Sequence, residues 1–248
     1  ILGELVPRDV SEADRESALV RFADPILRAA LSALRTSGDR ARAVLDALGT
    51  GQGELAPFVG RGATGAARDK SRSIVAALEP SIVPLTRHPD PAIRTKAIVL
   101  VARSSSEAAI EAVAGAIEDS NEAVQRIALA AVAAPRTDGA RVEASARAVN
   151  AVGKVLATHE SWPIRVLAAR ALGRLGVAGG SADASRMLGE AAAGDPYALV
   201  RQAALESLAS FDSAGARLVA ARMAAGDPEP RVREAARAIA GGGVPERE

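Results

Sequence analysis

The sequence predicts an all-α protein, an α-solenoid of about seven antiparallel helix pairs. Three observations favour this fold class. Hydrophobic residues make up 48% of the 248 residues, but aromatic residues only 2%, and a core of Ala, Leu, Val and Ile suits closely packed helices better than sheets. A short motif recurs roughly every 30 to 40 residues, which is typical of repeat proteins. Each copy continues with apolar residues at helical spacing.

The recurring motif is an aliphatic residue followed by arginine, with proline shortly before it and a small residue four places later. Its clearest copy is HPDPAIRTKAIVLVA, residues 88–102, where Ile93-Arg94 follows Asp90-Pro91. The other copies are at Leu27-Arg28, Val59-Gly60, Val124-Gln125, Ile164-Arg165, Val200-Arg201 and Val232-Arg233. The arginine is therefore replaced by glycine in one copy and by glutamine in another.

Each copy predicts a helix, because apolar residues fall at positions 0, +4, +7 and +8 from the aliphatic residue that anchors the motif. In the clearest copy these are Ile93, Ala97, Leu100 and Val101, which share one helix face. The intervening stretches, such as 106–119, 139–160 and 213–226, carry a second helical pattern. Each repeat is therefore a helix pair, in which helix A precedes helix B and the motif opens helix B.

The Asp-Pro and arginine residues of the motif predict a joint between repeats. An aspartate such as Asp90 caps the first amides of helix B, which is worth about 1 kcal/mol, and proline at the first helical position gives up no hydrogen bond. The arginine would lie along the seam, where it bonds the acidic cap or carbonyls of the neighbouring repeat. The expected ladder consists of Asp24, Arg28, Asp90, Arg94, Arg165, Asp195, Arg201 and Arg233. We expect it to be interrupted at the Val59 and Val124 copies.

The segments DPAIRTKAIVLVA, SWPIRVLAARALGRLG and DPYALVRQAALESLA resemble HEAT repeats, and more narrowly the short bacterial type called phycobilisome-lyase-like. The resemblance is strong over residues 80–240 and looser before them. It implies a solenoid of HEAT-type pairs with one row of helices on its concave side. We expect a single domain over residues 10–241, with flexible ends at 1–9 and 242–248.

The sequence offers no credible catalytic or cofactor site, so we expect a protein that is not an enzyme and binds no cofactor or metal. Residues 60–65, GRGATG, match a dinucleotide-binding turn but lack the strand before it, and we expect a kinked or frayed helix there. The HEAT hydroxylases bind paired iron through several His-Glu pairs. This chain has one such pair, His159-Glu160, while His88 precedes proline.

Charge and composition argue against nucleic acid and membrane partners. The 31 basic and 30 acidic residues are spread evenly, and nucleic-acid binding needs a concentrated positive field. No apolar run is long enough to span a bilayer. Sparse lysine suggests a bacterial source, and we expect a cytoplasmic location. Because the chain begins with Ile rather than Met, we expect a piece of a longer protein or a processed form.

These observations predict a protein–protein interaction scaffold or adaptor that binds a partner helix or peptide on the concave face. The partner is another protein or other domains of a longer chain. If the B helices line that face, positions +2, +6 and +9 point outward, Gly173 among them. The candidate partner-binding residues there are Thr95, Val99, Arg126, Val166, Arg170, Gln202 and Glu206. Trp162 and Tyr197 precede adjacent motifs, so they share one edge, either as a binding hot spot or as covers for helix ends. The alternatives are a tetrapyrrole (bilin) lyase-type HEAT enzyme, implied by the resemblance, and a nucleic-acid-binding HEAT-like protein.

Overall fold

The described part of the chain is entirely helical. The computed structural model describes residues 12–35, 38–49, 65–102, 104, 106–133, 146–179 and 182–242. Over these residues it contains twelve α-helices and one 3₁₀ segment, with no strand, so the predicted all-α class is confirmed. The Val59 copy, the GRGATG segment apart from Gly65, residues 1–9 and residues 243–248 lie outside the described residues.

The helices follow one another as six A–B pairs in the described part of the chain. They are α1 (Glu12–Leu34), α2 (Gly38–Gly49), α3 (Gly65–Ile82), α4 (Pro91–Val101), α5 (Glu107–Ile117), α6 (Glu122–Ala133), α7 (Ala146–Thr158), α8 (Trp162–Gly179), α9 (Ala182–Gly194), α10 (Ala198–Ala209), α11 (Ser213–Gly226) and α12 (Pro230–Ala240). The 3₁₀ segment Val83–Arg87 joins α3 to α4. Contacts divide the chain into two compact units, Ile1–Val113 and Ala114–Glu248. A single domain over 10–241 stays a prediction.

In the second unit the helices pack as two rows. The B helices α6, α8, α10 and α12 pack each on the next, and so do the A helices α7, α9 and α11. The predicted anchors and the alanines four places later line the core between the rows. They are Val124, Ala128, Ile164, Ala168, Val200, Ala204, Val232 and Ala236, and all are buried. Alanine at the fourth place lets neighbouring B helices approach closely, so the spacing of the motif is a packing requirement.

In the first unit the repeat begins later than predicted. Helix α1 packs on α3, and α2 packs on α4, so α1 belongs to the A row. The Asp24-Pro25 pair was expected to open a B helix before Leu27-Arg28, but α1 continues through Pro25. Buried residues Ile26, Ala30 and Leu34 follow the proline, and we infer that burying this face offsets the one backbone hydrogen bond that proline cannot make. Asp24 and Arg28 are exposed inside α1 rather than at a helix start.

The B helix of this first pair is α2. Its residues Ala41, Leu45 and Leu48 are buried at positions 0, +4 and +7. The pair Ala41-Arg42 therefore holds the place that the sequence pattern had assigned to Leu27-Arg28. The helical period alone cannot separate the two, because both helices carry an apolar face.

Gly173 marks the closest approach of α8 and α10. It was expected to point away from the core, but it is buried. A Cβ at this position would lie 2.7 Å from Ser207 Cβ and 3.1 Å from Ser207 Cα. Because a backbone atom is involved, neither helix can make room by a side-chain rotation. The absence of a side chain at Gly173 thus sets the spacing between these two B helices.

We expect Gly173→Ala to destabilise the protein, because the clash costs about 1–3 kcal/mol and exceeds the roughly 1 kcal/mol gained in helix propensity. The matched control is Gly189→Ala in α9, where a Cβ would meet Val219 Cγ2 at an ordinary 3.8 Å. That control should gain about 0.5–1 kcal/mol. Urea titration of both variants measures the two free energies of unfolding. If both variants gained the same free energy of unfolding, the result would contradict a tight α8–α10 contact.

Candidate functional site

The motif arginines tie each B helix to the turn that precedes it. Arg165, on the first turn of α8, donates through Nη1 to the carbonyl oxygens of His159 at 2.7 Å and Glu160 at 3.0 Å. The same two bonds recur at Arg94, Arg201 and Arg233. These carbonyls lie just beyond the end of the preceding helix A, so the arginine closes the A–B turn of its own repeat.

In the second unit the same guanidinium also reaches the next repeat. Arg165 donates from Nε to Asp195 Oδ2 at 2.8 Å and from Nη2 to Asp195 Oδ1 at 3.0 Å. Arg201 makes the equivalent bonds to Asp227, at 2.8 and 2.7 Å. All four side chains are less than a tenth exposed. These two pairs, which we call the Arg–Asp bridges, are bidentate and charge-assisted. The expected bonds to the neighbouring repeat's carbonyls are instead made within the arginine's own turn.

The carboxylate of each bridge also shapes its own turn. Asp195 Oδ1 accepts a hydrogen bond from the Tyr197 amide at 2.8 Å, and Asp227 Oδ1 accepts one from the Glu229 amide at 2.9 Å. The side chains of His88, Asp119 and His159 accept the equivalent bond in their turns. In every case the acceptor lies six residues before the motif arginine or its glutamine replacement.

Asp90 has a different role from Asp195, although both precede proline. Asp90 is the N-cap of α4 and accepts a hydrogen bond from the Ala92 amide at 2.8 Å. The sequence motif does not distinguish the two aspartates, and it does not predict Asp227. The spacing of six residues between aspartate and arginine, present at Asp227 and Arg233, was the available signal.

Different residues join the repeats in the first unit. Arg42 of α2 pairs with Asp90, and Lys96 of α4 pairs with Asp46. The side chains of these pairs are between 24% and 43% exposed, so water screens them more than the Arg–Asp bridges. The sequence motif does not predict Arg42, because it places the first helix B at the Leu27-Arg28 copy.

Electrostatics hold the bridges in their charged form. The hydrogen bond from Arg201, assisted by the Glu229 amide, lowers the pKa of Asp227 even though burial opposes the shift. The bond to Asp227 raises the pKa of Arg201, and the bond to Asp195 raises that of Arg165. The Asp227 carboxylate therefore stays ionised near neutral pH. Arginine engages both carboxylate oxygens in each bridge, so the bridges serve a structural purpose.

We expect Arg201→Ala to lower the free energy of unfolding by about 3–5 kcal/mol, because it leaves Asp227 buried without its partner. The control is Arg186→Ala, which removes an exposed pair with Glu190 and should change stability by less than about 1 kcal/mol. Urea denaturation at pH 7 measures both. A loss of similar size in the two variants would mean that burial adds nothing to the bridge.

The same bridge gives an acid dependence. The pKa of Asp227 is lower in the folded protein than its unfolded value of about 3.9, so its contribution to stability is complete above that pH and is lost as the pH falls through the folded pKa. The stabilities of the native protein and of Asp227→Asn should therefore converge below about pH 4. A constant difference across that range would argue against the bridge as the cause.

A neutral hydrogen bond spans the repeat boundary where an interruption of the ladder was expected. Gln125 replaces the motif arginine, and its Oε1 lies 3.1 Å from His159 Nε2. His159 Nδ1 accepts from the Ser161 amide at 3.0 Å, so Nε2 is the nitrogen that donates to Gln125. Gln125 and His159 thus occupy the positions of Arg201 and Asp227, and they join α6 to the turn before α8 without a charge.

A double-mutant cycle tests this equivalence. Gln125→Arg and His159→Asp should each be neutral or destabilising alone, because each introduces a half-buried charge without its partner. Together they should rebuild an Arg–Asp bridge, with a favourable coupling of about 1–3 kcal/mol. Thermal and urea unfolding of the four proteins gives the coupling. A value near zero would show that this boundary has a geometry of its own.

Trp162 and Tyr197, predicted to share an edge, form a stacked pair. Their ring centroids are 6.1 Å apart and the ring planes are 21° from parallel. The Cζ atom of Arg165 lies 5.3 Å from the Tyr197 ring centroid, so an Arg–Asp bridge supports the pair. Trp162 is 37% exposed and Tyr197 48% exposed. We call this stacked pair the aromatic rim.

The other candidate binding residues lie on the B helices of both units. Arg126 and Arg170 are exposed, whereas Thr95, Val99, Val166, Gln202 and Glu206 are half-buried. The Gln202 amide donates to Glu206 at 2.7 Å, so these two side chains are partly engaged with each other. Thr95 donates to the Pro91 carbonyl within α4. Their role in binding a partner stays a prediction.

A groove of about 710 Å³ lies between the A helices α9 and α11. Its walls carry Arg186, Glu190 and Arg222, and glycines lie along it. The mixed charges do not favour one kind of ligand. Among the described residues no group of His, Asp or Glu is arranged to hold a metal ion. Over the same residues no helix has both the length and the apolar character needed to cross a membrane.

The fold and its repeated turns define an α-solenoid repeat protein. A family profile described as HEAT repeats matches residues 116–209 and 149–240, which together span half of the chain. The chain therefore belongs to the HEAT-repeat family, as the sequence motif indicated. No curated protein sequence matches it at a significant level.

Solved structures with the same fold are repeat proteins of low sequence identity. A designed armadillo repeat protein in complex with the peptide (KR)4 is 16% identical, with a TM-score of 0.57, over 87% of this chain and 98% of that one. An engineered protein from the Northeast Structural Genomics Consortium is 18% identical, with a TM-score of 0.54, over 87% of this chain and 97% of that one. At this identity the likeness establishes the solenoid fold.

Proposed function

We propose that this protein is a non-enzymatic scaffold or adaptor that binds a linear segment of another protein at the aromatic rim. Solenoids commonly present extended binding surfaces, because each repeat contributes a similar surface to its neighbours. The observation that carries the proposal is the exposed Trp162–Tyr197 stack. Exposed tryptophan and tyrosine side chains are the residues most enriched at the energetic centres of protein interfaces.

The support beneath the rim favours a binding role. The Arg165–Asp195 bridge holds the backbone at Tyr197 in place, because Asp195 also accepts a hydrogen bond from the Tyr197 amide. The Arg165 guanidinium lies beside the Tyr197 ring. Rings held in place before binding lose little conformational entropy when a partner arrives. Leu199, two residues after Tyr197, is 43% exposed and extends the apolar surface.

The outward side of the B helices is the alternative binding surface for the same function, and a partner helix or peptide would lie across it. Its residues in the second unit are Arg126, Val166, Arg170, Gln202 and Glu206. They offer less exposed apolar area than the rim, since Val166 is half-buried and Gln202 is bonded to Glu206. The designed armadillo protein with this fold holds the peptide (KR)4, and a linear peptide is also the kind of partner that we propose here.

The test is quantitative capture of partners by the immobilised protein and its variants. Trp162→Ala and Tyr197→Ala should each weaken capture of a specific partner about thirtyfold. This factor corresponds to a loss of about 2 kcal/mol of binding free energy, which is typical of a hot-spot residue. Leu218→Ala is the control, because Leu218 is 72% exposed on α11 and lies away from the rim. Circular dichroism verifies that every variant is folded.

The triple variant Arg126→Ala, Arg170→Ala and Glu206→Ala separates the two surfaces. Capture should survive it if the rim is the binding site. Loss of capture in the triple variant, with retention in both rim variants, would move the site to the B helices. Retention in all of them would refute both surfaces.

A further inference from the structure

The aromatic rim lies between glutamates along the edge of the second unit. The B helices follow the order α6, α8, α10 and α12, each packed on the next. Glu122 is the first residue of α6, the place that Trp162 holds in α8. Glu229 is the N-cap of α12, the place that Tyr197 holds in α10. Glu160 lies two residues before Trp162. All three glutamates are exposed, so carboxylates lie on both sides of the aromatic pair.

The other charges near the rim do not offset these glutamates. The side chains of Asp195 and Asp227 are less than a tenth exposed and pair with Arg165 and Arg201, so the Arg–Asp bridges add no net charge to the edge. Arg231, on the first turn of α12, is an exposed basic residue two positions after Glu229 and offsets that glutamate at most, so Glu122 and Glu160 leave the edge negative. The rim is therefore an aromatic surface in a locally negative setting.

We propose that the partner segment is cationic, and that an arginine side chain of the partner stacks on Trp162 while glutamates of the edge pair with its guanidinium. This inference rests on the proposed function and names the chemistry of the partner. The indole face attracts cations more strongly than any other aromatic side chain. A guanidinium can stack on a ring and bond a carboxylate in the same plane. The Arg165 guanidinium beside Tyr197 is an arrangement of this kind already present in the protein.

Other occupants fit the edge less well. An acidic segment would meet Glu122, Glu160 and Glu229 and be repelled. A purely apolar or proline-rich segment would stack on the rings but leave those carboxylates partly desolvated without a partner. Complementary charge also gives faster association at low salt, so the cationic segment is favoured in both affinity and rate.

Trp162 provides the readout, because it is the only tryptophan in the chain. Its fluorescence is followed while the full chain is titrated with three peptides of equal length: one with alternating Arg and Gly, one with alternating Glu and Gly, and one rich in Pro. The Arg peptide should change the emission saturably, with an affinity that falls as salt rises. The Glu and Pro peptides should leave the emission unchanged.

Glu160→Gln should weaken binding of the Arg peptide about five- to tenfold. The control Asp183→Asn removes the same charge at the start of α9, an exposed position at the other end of a helix pair, and should leave the affinity unchanged. Equal weakening by both substitutions would reduce the effect to general electrostatics and overturn the proposed contact.

The outcomes separate this inference from the proposed function. No emission change with the Arg peptide, or a response to the Glu or Pro peptide instead, overturns the cationic partner. Loss of partner capture in Trp162→Ala would still support the rim as a docking site in that case. Unchanged capture in both rim variants refutes the rim as the docking site, whatever the peptides do.

Discussion

The buried guanidinium at the start of a B helix is the contact on which the rest of the second unit depends. Arg201 bonds two carbonyls of its own turn and both carboxylate oxygens of Asp227 in the next. One planar group thus joins a helix, the turn before it and the following repeat. Because the pair is buried, removing either partner would leave an uncompensated charge, so each repeat constrains the next.

Small residues are the second constraint, and they act together with the bridges. Alanine at the fourth place of each motif in the second unit, and Gly173 facing Ser207, bring neighbouring B helices close enough for arginine to span from one turn to the next. Larger side chains would separate the helices and lengthen the bridge. The Ala-rich composition and the arginine ladder therefore have the same physical origin.

The proposed binding surface is a consequence of this joint. The carboxylates of Asp195 and Asp227 are little exposed and are bonded by arginine, so they join neighbouring repeats rather than contact a partner. What remains at the exposed edge is the stacked pair of Trp162 and Tyr197 with glutamates on either side. A surface of aromatic rings with exposed glutamates beside them suits recognition of a cationic segment, which is the role that we propose for it.

The sequence by itself determined the helical class, the repeat and the HEAT family, because the spacing of apolar residues and arginines is local and recurs. It also placed Trp162 and Tyr197 on one edge. Tertiary structure alone decided which helix belongs to which row: α1 and α2 both carry an apolar face, and only their packing against α3 and α4 shows that Arg42, rather than Arg28, reaches Asp90. Tertiary structure also joins Gln125 to His159 by a neutral hydrogen bond and places Gly173 in the core. Both contacts connect residues more than thirty positions apart. How the helices stack decides such contacts, and a local sequence pattern does not record it.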